Sequence, residues 1–243
     1  LNVLYPGEVA AKAGTSGVVY GISKRPVSDP RFRMNTFLHV NHTDAAPRLG
    51  VLLCINGTGI LNSWIKHTAG KDKTYDEMNA MAEKIEPGSE GVTILPFGNG
   101  AERMLGNHEP GSRITGINFN THNEAHLFRA AQEGIAFSFR YGFDIMKETG
   151  INPRIIRAGS ANMFLSRVFR ETLASITSTE IHLYNTDGSV GAARGAGIGC
   201  GYYKSENEAF AGLRSLETTT PDTKRINGYN DAYDRWLEQL NKI

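Results

Sequence analysis

The chain has 243 residues, enough to bury a large core and near the upper size of a single domain. Its composition, 40% hydrophobic and 21% charged with no biased tract, is that of an ordinary globular protein. A formal net charge of +1 leaves no face-sized excess of Lys and Arg for nucleic-acid phosphates, and no apolar run approaches the ~20 residues of a membrane helix.

The opening Leu1-Asn2-Val3-Leu4-Tyr5-Pro6-Gly7 has neither an initiator methionine nor leader or capping character, and reads as cut from something longer. No secretion signal is present, so the sequons Asn41-His42-Thr43 and Asn56-Gly57-Thr58 are chance matches and a cytoplasmic location is expected. Cys54 and Cys200 stand in apolar or Gly-rich surroundings without metal or redox spacing, which predicts buried, inert thiols.

Apolar runs at Ala10 to Ala13 and Val18 to Ile22 predict a hairpin whose tip is Gly14-Thr15-Ser16-Gly17. Glycines let backbone N–H groups face outward and the two hydroxyls add donors, so the tip suits a terminal phosphate; a plain G-x-x-G turn is the alternative. Lys24-Arg25 and Arg31-Phe32-Arg33 read as solvated loop charges. Thr36 to Asn41 and Leu49 to Ile55 continue the sheet as an antiparallel pair. Helices follow at Gly59 to Ala69, through Ile60, Leu61, Trp64 and Ile65, and at Thr74 to Ile85, through Tyr75, Met78, Met81 and Ala82.

A strand at Val92 to Leu95 leads into the loop Pro96 to Arg103, where the adjacent Glu102 and Arg103 are candidate ligand contacts or an exposed ion pair. Thr121 and Glu124 form a capping box that opens a long helix ending at Gly150. His122 and His126 stand four apart on it, but H-E-x-x-H is not met and no third metal ligand is suggested. A strand at Pro153 to Arg157, the turn Ala158-Gly159-Ser160-Ala161-Asn162 and a helix from Met163 to Ser175 make a second place where a helix start favours phosphate.

After a strand at Ile181 to Tyr184 comes the small-residue run Gly191 to Gly199. It is not a dinucleotide fingerprint, because Cys200 stands where G-x-G-x-x-G needs its third glycine; a helix that packs closely against a neighbour or a flat ring is expected. Two final helices, Ser205 to Leu216 and Ile226 to Leu240, read as cladding, the second amphipathic through Tyr229, Tyr233, Trp236, Leu237 and Leu240.

Gly14-Thr15-Ser16-Gly17, Gly100-Ala101-Glu102-Arg103, Ala158-Gly159-Ser160-Ala161 and Gly191-Ala192-Ala193-Arg194-Gly195-Ala196 occur in this order. Over nearly the whole chain this resembles the C-terminal half of the FGGY carbohydrate kinases, their xylulokinase branch most closely. The resemblance implies an α/β, ribonuclease H-like (actin-like) fold, a mixed sheet flanked by helices, as one nucleotide-binding lobe spanning 1–243. It implies ATP and Mg²⁺ as cofactors and a sugar as substrate, D-xylulose or a related ketose, phosphorylated on a hydroxyl. By the same resemblance Gly14, Thr15 and Ser16 hold phosphate, and Gly159, Ser160, Ala161 and Asn162 form the adenosine motif beside the helix at Gly191. Gly100, Glu102 and Arg103 then face the cleft between two lobes.

Ala158 and Ser160 replace the family's usual glycines, which predicts a looser approach of the backbone to the nucleotide. Met104-Leu105 follows Arg103 where the family has Thr-Pro. No catalytic residue and no protein metal ligand is assigned: the family's general-base Asp is expected upstream of Leu1, with the sugar met through a first lobe and a homodimer allowed in the full-length protein. A non-catalytic actin-fold module that binds a ligand or partner is the alternative.

Overall fold

A computed structural model describes residues 1–243. The first apolar runs form β1 (Glu8–Ala13) and β2 (Gly17–Ser23), an antiparallel hairpin with Val9 opposite Gly21 and Ala13 opposite Gly17. β3 (Asn35–Leu38) and β4 (Leu49–Ile55) extend the meander, β4 pairing with β2 and β3 taking the edge. Helices α1 (Gly59–Thr68) and α2 (Tyr75–Ala82) follow, then β5 (Thr93–Phe97) and β6 (Gly111–Thr115), which form a separate antiparallel ribbon. The long α3 (Glu124–Glu148) returns the chain to β7 (Ile155–Gly159), parallel to β1; α4 (Arg167–Thr177) leads to β8 (Glu180–Tyr184), parallel to β7. α5 (Gly188–Gly199), α6 (Glu206–Phe210), β9 (Ser215–Thr219) and α7 (Ile226–Leu240) complete the chain, β9 antiparallel to β8.

The main sheet runs β3-β4-β2-β1-β7-β8-β9, mixed as expected. One face, carrying Val9, Ala11, Ala13, Val19, Leu53, Ile55, Ile156, Ala158, Ile181 and Leu183, joins the core formed with α3 and α4. On the other face Ala10, Val18, Tyr20, Leu52 and Cys54 are only half-buried. α3 is enclosed by α1, α2, α4 and α7 as well as the sheet, so its buried surface wraps round the helix and takes in Arg129, Gln132 and Glu133. These buried polar groups are paired, as burial demands: Arg129 Nε donates to Glu133 Oε1 at 2.7 Å, and Glu133 also accepts from Gly88 N at 3.0 Å and Ser89 Oγ at 2.9 Å. No helix is long and apolar enough to cross a membrane.

Several local expectations are corrected. α3 is capped by Asn123, which accepts from Ala125 N while His126 Nδ1 accepts from Asn123 N; Thr121 lies in a preceding turn closed on Asn118. The segment Ser205 to Leu216 is a short helix ending at Phe210, and beyond Gly212 the chain straightens to pair with β8, a tertiary partner overriding local helical spacing. Arg33 is not solvated: it is buried against Asp29, with Nε to Oδ2 at 2.9 Å, and also meets Glu148 at 2.6 Å. That guanidinium holds the Asp29 carboxyl down at about 2. Cys54 is half-buried, its thiol pushed up by burial, but Cys200 is exposed at the end of α5. Trp64, assigned to the apolar stripe of α1, is 53% exposed.

Candidate functional site

The β1–β2 tip is clasped from one side by the start of α1: Gly59 N donates to Gly14 O at 2.9 Å and Ile60 N to Thr15 O at 3.1 Å. This close approach requires glycine at 59, where a Cβ would stand 2.4 Å from the Gly14 carbonyl oxygen. The clasp uses the carbonyls of the tip and leaves its N–H groups without a main-chain partner. No main-chain carbonyl takes the N–H of Gly14, Thr15 or Ser16, and Thr15 and Ser16 are exposed. Lys12 stands beside the tip, with Cε 3.6 Å from the position a Gly14 Cβ would occupy. Unpaired N–H groups, two hydroxyls and an ammonium are donors of the kind an anion would meet.

Two cavities flank the tip and share Ala13 and Asn162. The larger, about 450 Å³, is lined by Gly14, Thr15 and Asn162 with residues of α1 and α2 that sequence reasoning missed: Asn62, Ser63, Tyr75, Asp76 and Asn79. Asn62 Oδ1 is buried there without a partner. Asn79 is fixed by Gln132 Nε2 at 3.0 Å, and Gln132 in turn accepts the Ser166 hydroxyl, so one buried network sets two wall residues, Asn79 and Ser166. The only sequence signal of these residues is the polar flank of an amphipathic helix, which a solvated face gives equally well.

The smaller cavity, about 220 Å³, is lined by Lys12, Gly159, Ala161, Asn162, Asp187 and Gly191 among others. The structure therefore gathers Gly14, Thr15 and Asn162 in one cavity and Gly159, Ala161, Asn162 and Gly191 in its neighbour. Ser16 and Ser160 are exposed and line neither. Asn162 links the two: its backbone is left-handed at φ 54°, a conformation asparagine tolerates, and its Nδ2 lies 3.9 Å from the Gly14 Cβ position.

The helix expected from Met163 begins only at Arg167. Residues Asn162–Leu165 form a 3₁₀ turn, and Ser166 caps α4 by accepting from Phe169 N at 3.3 Å, so the helix start is spent on its own cap rather than turned to Gly159. Gly159 is required by packing, since a Cβ there would stand 2.3 Å from the Thr186 carbonyl oxygen. Ala158, which the family resemblance makes an obstacle to the nucleotide, buries its methyl in the core. α5 packs closely at Gly197, where a Cβ would stand 2.6 Å from the Tyr203 ring, and against α6, yet none of its residues is buried.

Glu102 and Arg103 line neither cavity. Glu102 is 1% exposed and turned inward, where Oε2 accepts from Asn56 N at 2.9 Å and Gly57 N at 3.4 Å while Oε1 has no partner. Burial pushes its carboxyl up to about 7, the two N–H bonds offsetting part of that cost. Arg103 Nε donates to Phe32 O at 2.8 Å, and Gly100 is exposed with φ 79°. Glu102 thus touches the site only through the backbone at Asn56–Gly57 that leads into α1.

Residues 9–200 match the family model described as the FGGY family of carbohydrate kinases, C-terminal domain. The chain is 25% identical over 246 residues to a xylulose kinase of Haemophilus influenzae, covering 98% of this chain and 47% of that protein. It is 31% identical over 239 residues to one of Lactococcus lactis, covering 93% and 44%. The chain spans about half the length of the curated relatives it matches. Among solved structures, a xylulose kinase from Rhodospirillum rubrum superposes with TM-score 0.83 at 24% identity, covering 99% of this chain and 48% of that one. Plasmodium falciparum glycerol kinase with ADP gives 0.79 at 22%, covering 97% and 47%. The expected fold, a mixed sheet flanked by helices of the actin-like class, is that of these neighbours.

Proposed function

Because the chain belongs to the FGGY family of carbohydrate kinases, we propose that it is the ATP-binding half of a kinase that moves the γ-phosphate of ATP to a hydroxyl of a ketose, D-xylulose or a close relative. The observation that carries this reading is the Gly14–Ser16 tip, whose N–H groups have no main-chain partner and which lies between two cavities with Lys12 beside it. The phosphates lie across the tip. The larger cavity, of nucleoside size, takes the adenosine. This moves the base away from the Gly159–Gly191 side named by the family motif.

The tip has no carboxylate. Magnesium, which binds through one or two carboxylates together with phosphate oxygens, therefore enters on the nucleotide's phosphates rather than being held by Gly14–Ser16. The two carboxylates lining the cavities are Asp76 and Asp187. Asp187 is a weak base, its carboxyl held low by the Val190 N–H and the Ser189 hydroxyl. A general base for the sugar hydroxyl is accordingly assigned to the part of the relatives' length that this chain does not cover.

The test is ADP release by the full-length protein with ATP and Mg²⁺ across D-xylulose, L-ribulose, D-gluconate, L-fuculose and glycerol. Sugar-dependent release, fastest with a ketose, is expected. Silence on every sugar would favour the non-catalytic module.

A further inference from the structure

The sequence pairs His122 with His126 one helical turn apart and supplies no third ligand. The fold does. Glu90, more than thirty positions earlier, is brought beside both, with one ligand atom from each of the three residues within 4.8 Å of the others. We infer that Glu90, His122 and His126 form a site for a divalent transition metal of the zinc class, separate from the nucleotide cavities, which none of the three lines.

His126 is 4% exposed, and its Nε2 is buried without a hydrogen-bond partner, facing Glu90 Oε2 at 3.6 Å. A buried ring nitrogen left unpaired is costly, and a metal ion satisfies it. Ligand atoms bound tetrahedrally at ~2.0–2.2 Å lie roughly 3.4 Å apart, so the His126–Glu90 separation already suits one ion between them. Across the ring, His126 Nδ1 lies 3.2 Å from Asn123 Oδ1. Metal binding exchanges the capping bond that Nδ1 accepts from Asn123 N for the other tautomer, in which a proton on Nδ1 is donated to Asn123 Oδ1 and the Nε2 lone pair is free, the arrangement in which a second partner orients a metal-bound histidine.

The Glu90 side of the site is built rigidly. Gly88, Ser89, Glu90 and Gly91 are four successive left-handed residues, with φ of 90°, 49°, 51° and 101°. The loop is tied to α3 by Gly88 N and Ser89 Oγ, both bonded to the buried Glu133 two turns beyond His126.

His122 is the adjustable ligand. Its ring lies 4.8 Å from that of His126, tilted by 47°, and its Nδ1 accepts from Asn118 N at 2.9 Å. To offer a lone pair to the metal it gives up that exposed hydrogen bond, a modest loss because water can take the freed N–H. Two imidazoles and a carboxylate are the ligand set zinc takes in three-ligand sites, with a fourth position for water. Bound metal would join the 88–91 loop to the start of α3.

The test uses the chain stripped with EDTA and dialysed, then titrated with Zn²⁺ by calorimetry and with Co²⁺ by visible absorption. One equivalent of Zn²⁺, the d–d bands of four-coordinate Co²⁺ and a raised Tm with Zn²⁺ are expected. His126 helps cap α3, so His126→Ala risks the fold; His122→Ala and Glu90→Gln do not, and each should weaken Zn²⁺ binding roughly tenfold or more with the metal-free Tm unchanged. His122→Cys should keep binding and add a thiolate-to-cobalt charge-transfer band. Absence of stoichiometric binding to the parent chain, or parental affinity in both His122→Ala and Glu90→Gln, would overturn the inference.

Discussion

At Glu102 a carboxyl with an ordinary pKa of 4.5 is pushed to about 7 by burial in the folded chain. Below about pH 4.5 it is protonated whether the chain is folded or not, and costs nothing. As pH rises from there toward 7 only the unfolded chain releases the proton, so stability falls; above about 7 the whole cost stands, on the order of 3 kcal/mol. Glu102→Gln keeps an acceptor for Asn56 N and should be more stable than the parent at pH 8, by up to that amount, and equal to it at pH 4. Urea unfolding midpoints at the two pH values check this, and a variant no more stable at pH 8 contradicts it. Residue identity gave no warning of this burial, since an adjacent Glu and Arg in a Gly-rich loop look the same whether the acid points in or out. Gly159 shows the converse: the motif made it look like a ligand-facing glycine, whereas its missing Cβ makes room for the Thr186 carbonyl. Gly159→Val should therefore destabilise the fold itself, by ~1–3 kcal/mol or more, read as a lowered Tm without nucleotide.

Among the elements, the strands were legible because their apolar runs are short, bounded by Gly, Pro and Asn, and buried on at least one face. β1, β2 and β4 form within a few residues of the apolar runs that predict them. Helix starts were less legible, because each depends on which of several polar residues finds its partner. α4 begins at Ser166 rather than Met163 because the Ser166 hydroxyl serves two buried groups, accepting from Phe169 N and donating to Gln132. Ser166→Ala removes the cap and leaves Gln132 Oε1 without that donor, with an expected loss of ~1–3 kcal/mol. It also frees Gln132, and through it Asn79 in the wall of the larger cavity. Thermal unfolding with and without ADP separates the two effects: a Tm loss larger with nucleotide than without is predicted, and equal losses would mean the network does not reach the site. The walls supplied by α1 and α2 escaped sequence reading for a related reason. Asn62 and Asn79 acquire meaning only when two helices are brought against a hairpin far from them in the chain.

At the scale of the molecule, one face of the main sheet is sealed by α3 and α4 while the other, with the Gly14–Ser16 tip at its end, is half-open. The relatives are about twice as long as this chain, and a sugar kinase needs a positioned base, worth on the order of 10²–10⁴ in rate, as well as a surface that orders the sugar. These 243 residues alone should therefore bind nucleotide yet release no ADP in response to any sugar. The order of motifs was enough to reach the family; the proposal for where the nucleotide sits rests on the fold. Calorimetric titration of the chain with Mg²⁺·ADP is the most direct measurement of that seat. One-to-one binding is predicted, weakened roughly tenfold or more by Lys12→Met, which removes the ammonium beside the tip, and by Asn162→Asp, which keeps a residue tolerant of φ 54° but sets a negative charge against the phosphates. No binding by the parent chain, or equal affinity in both variants, would contradict the account.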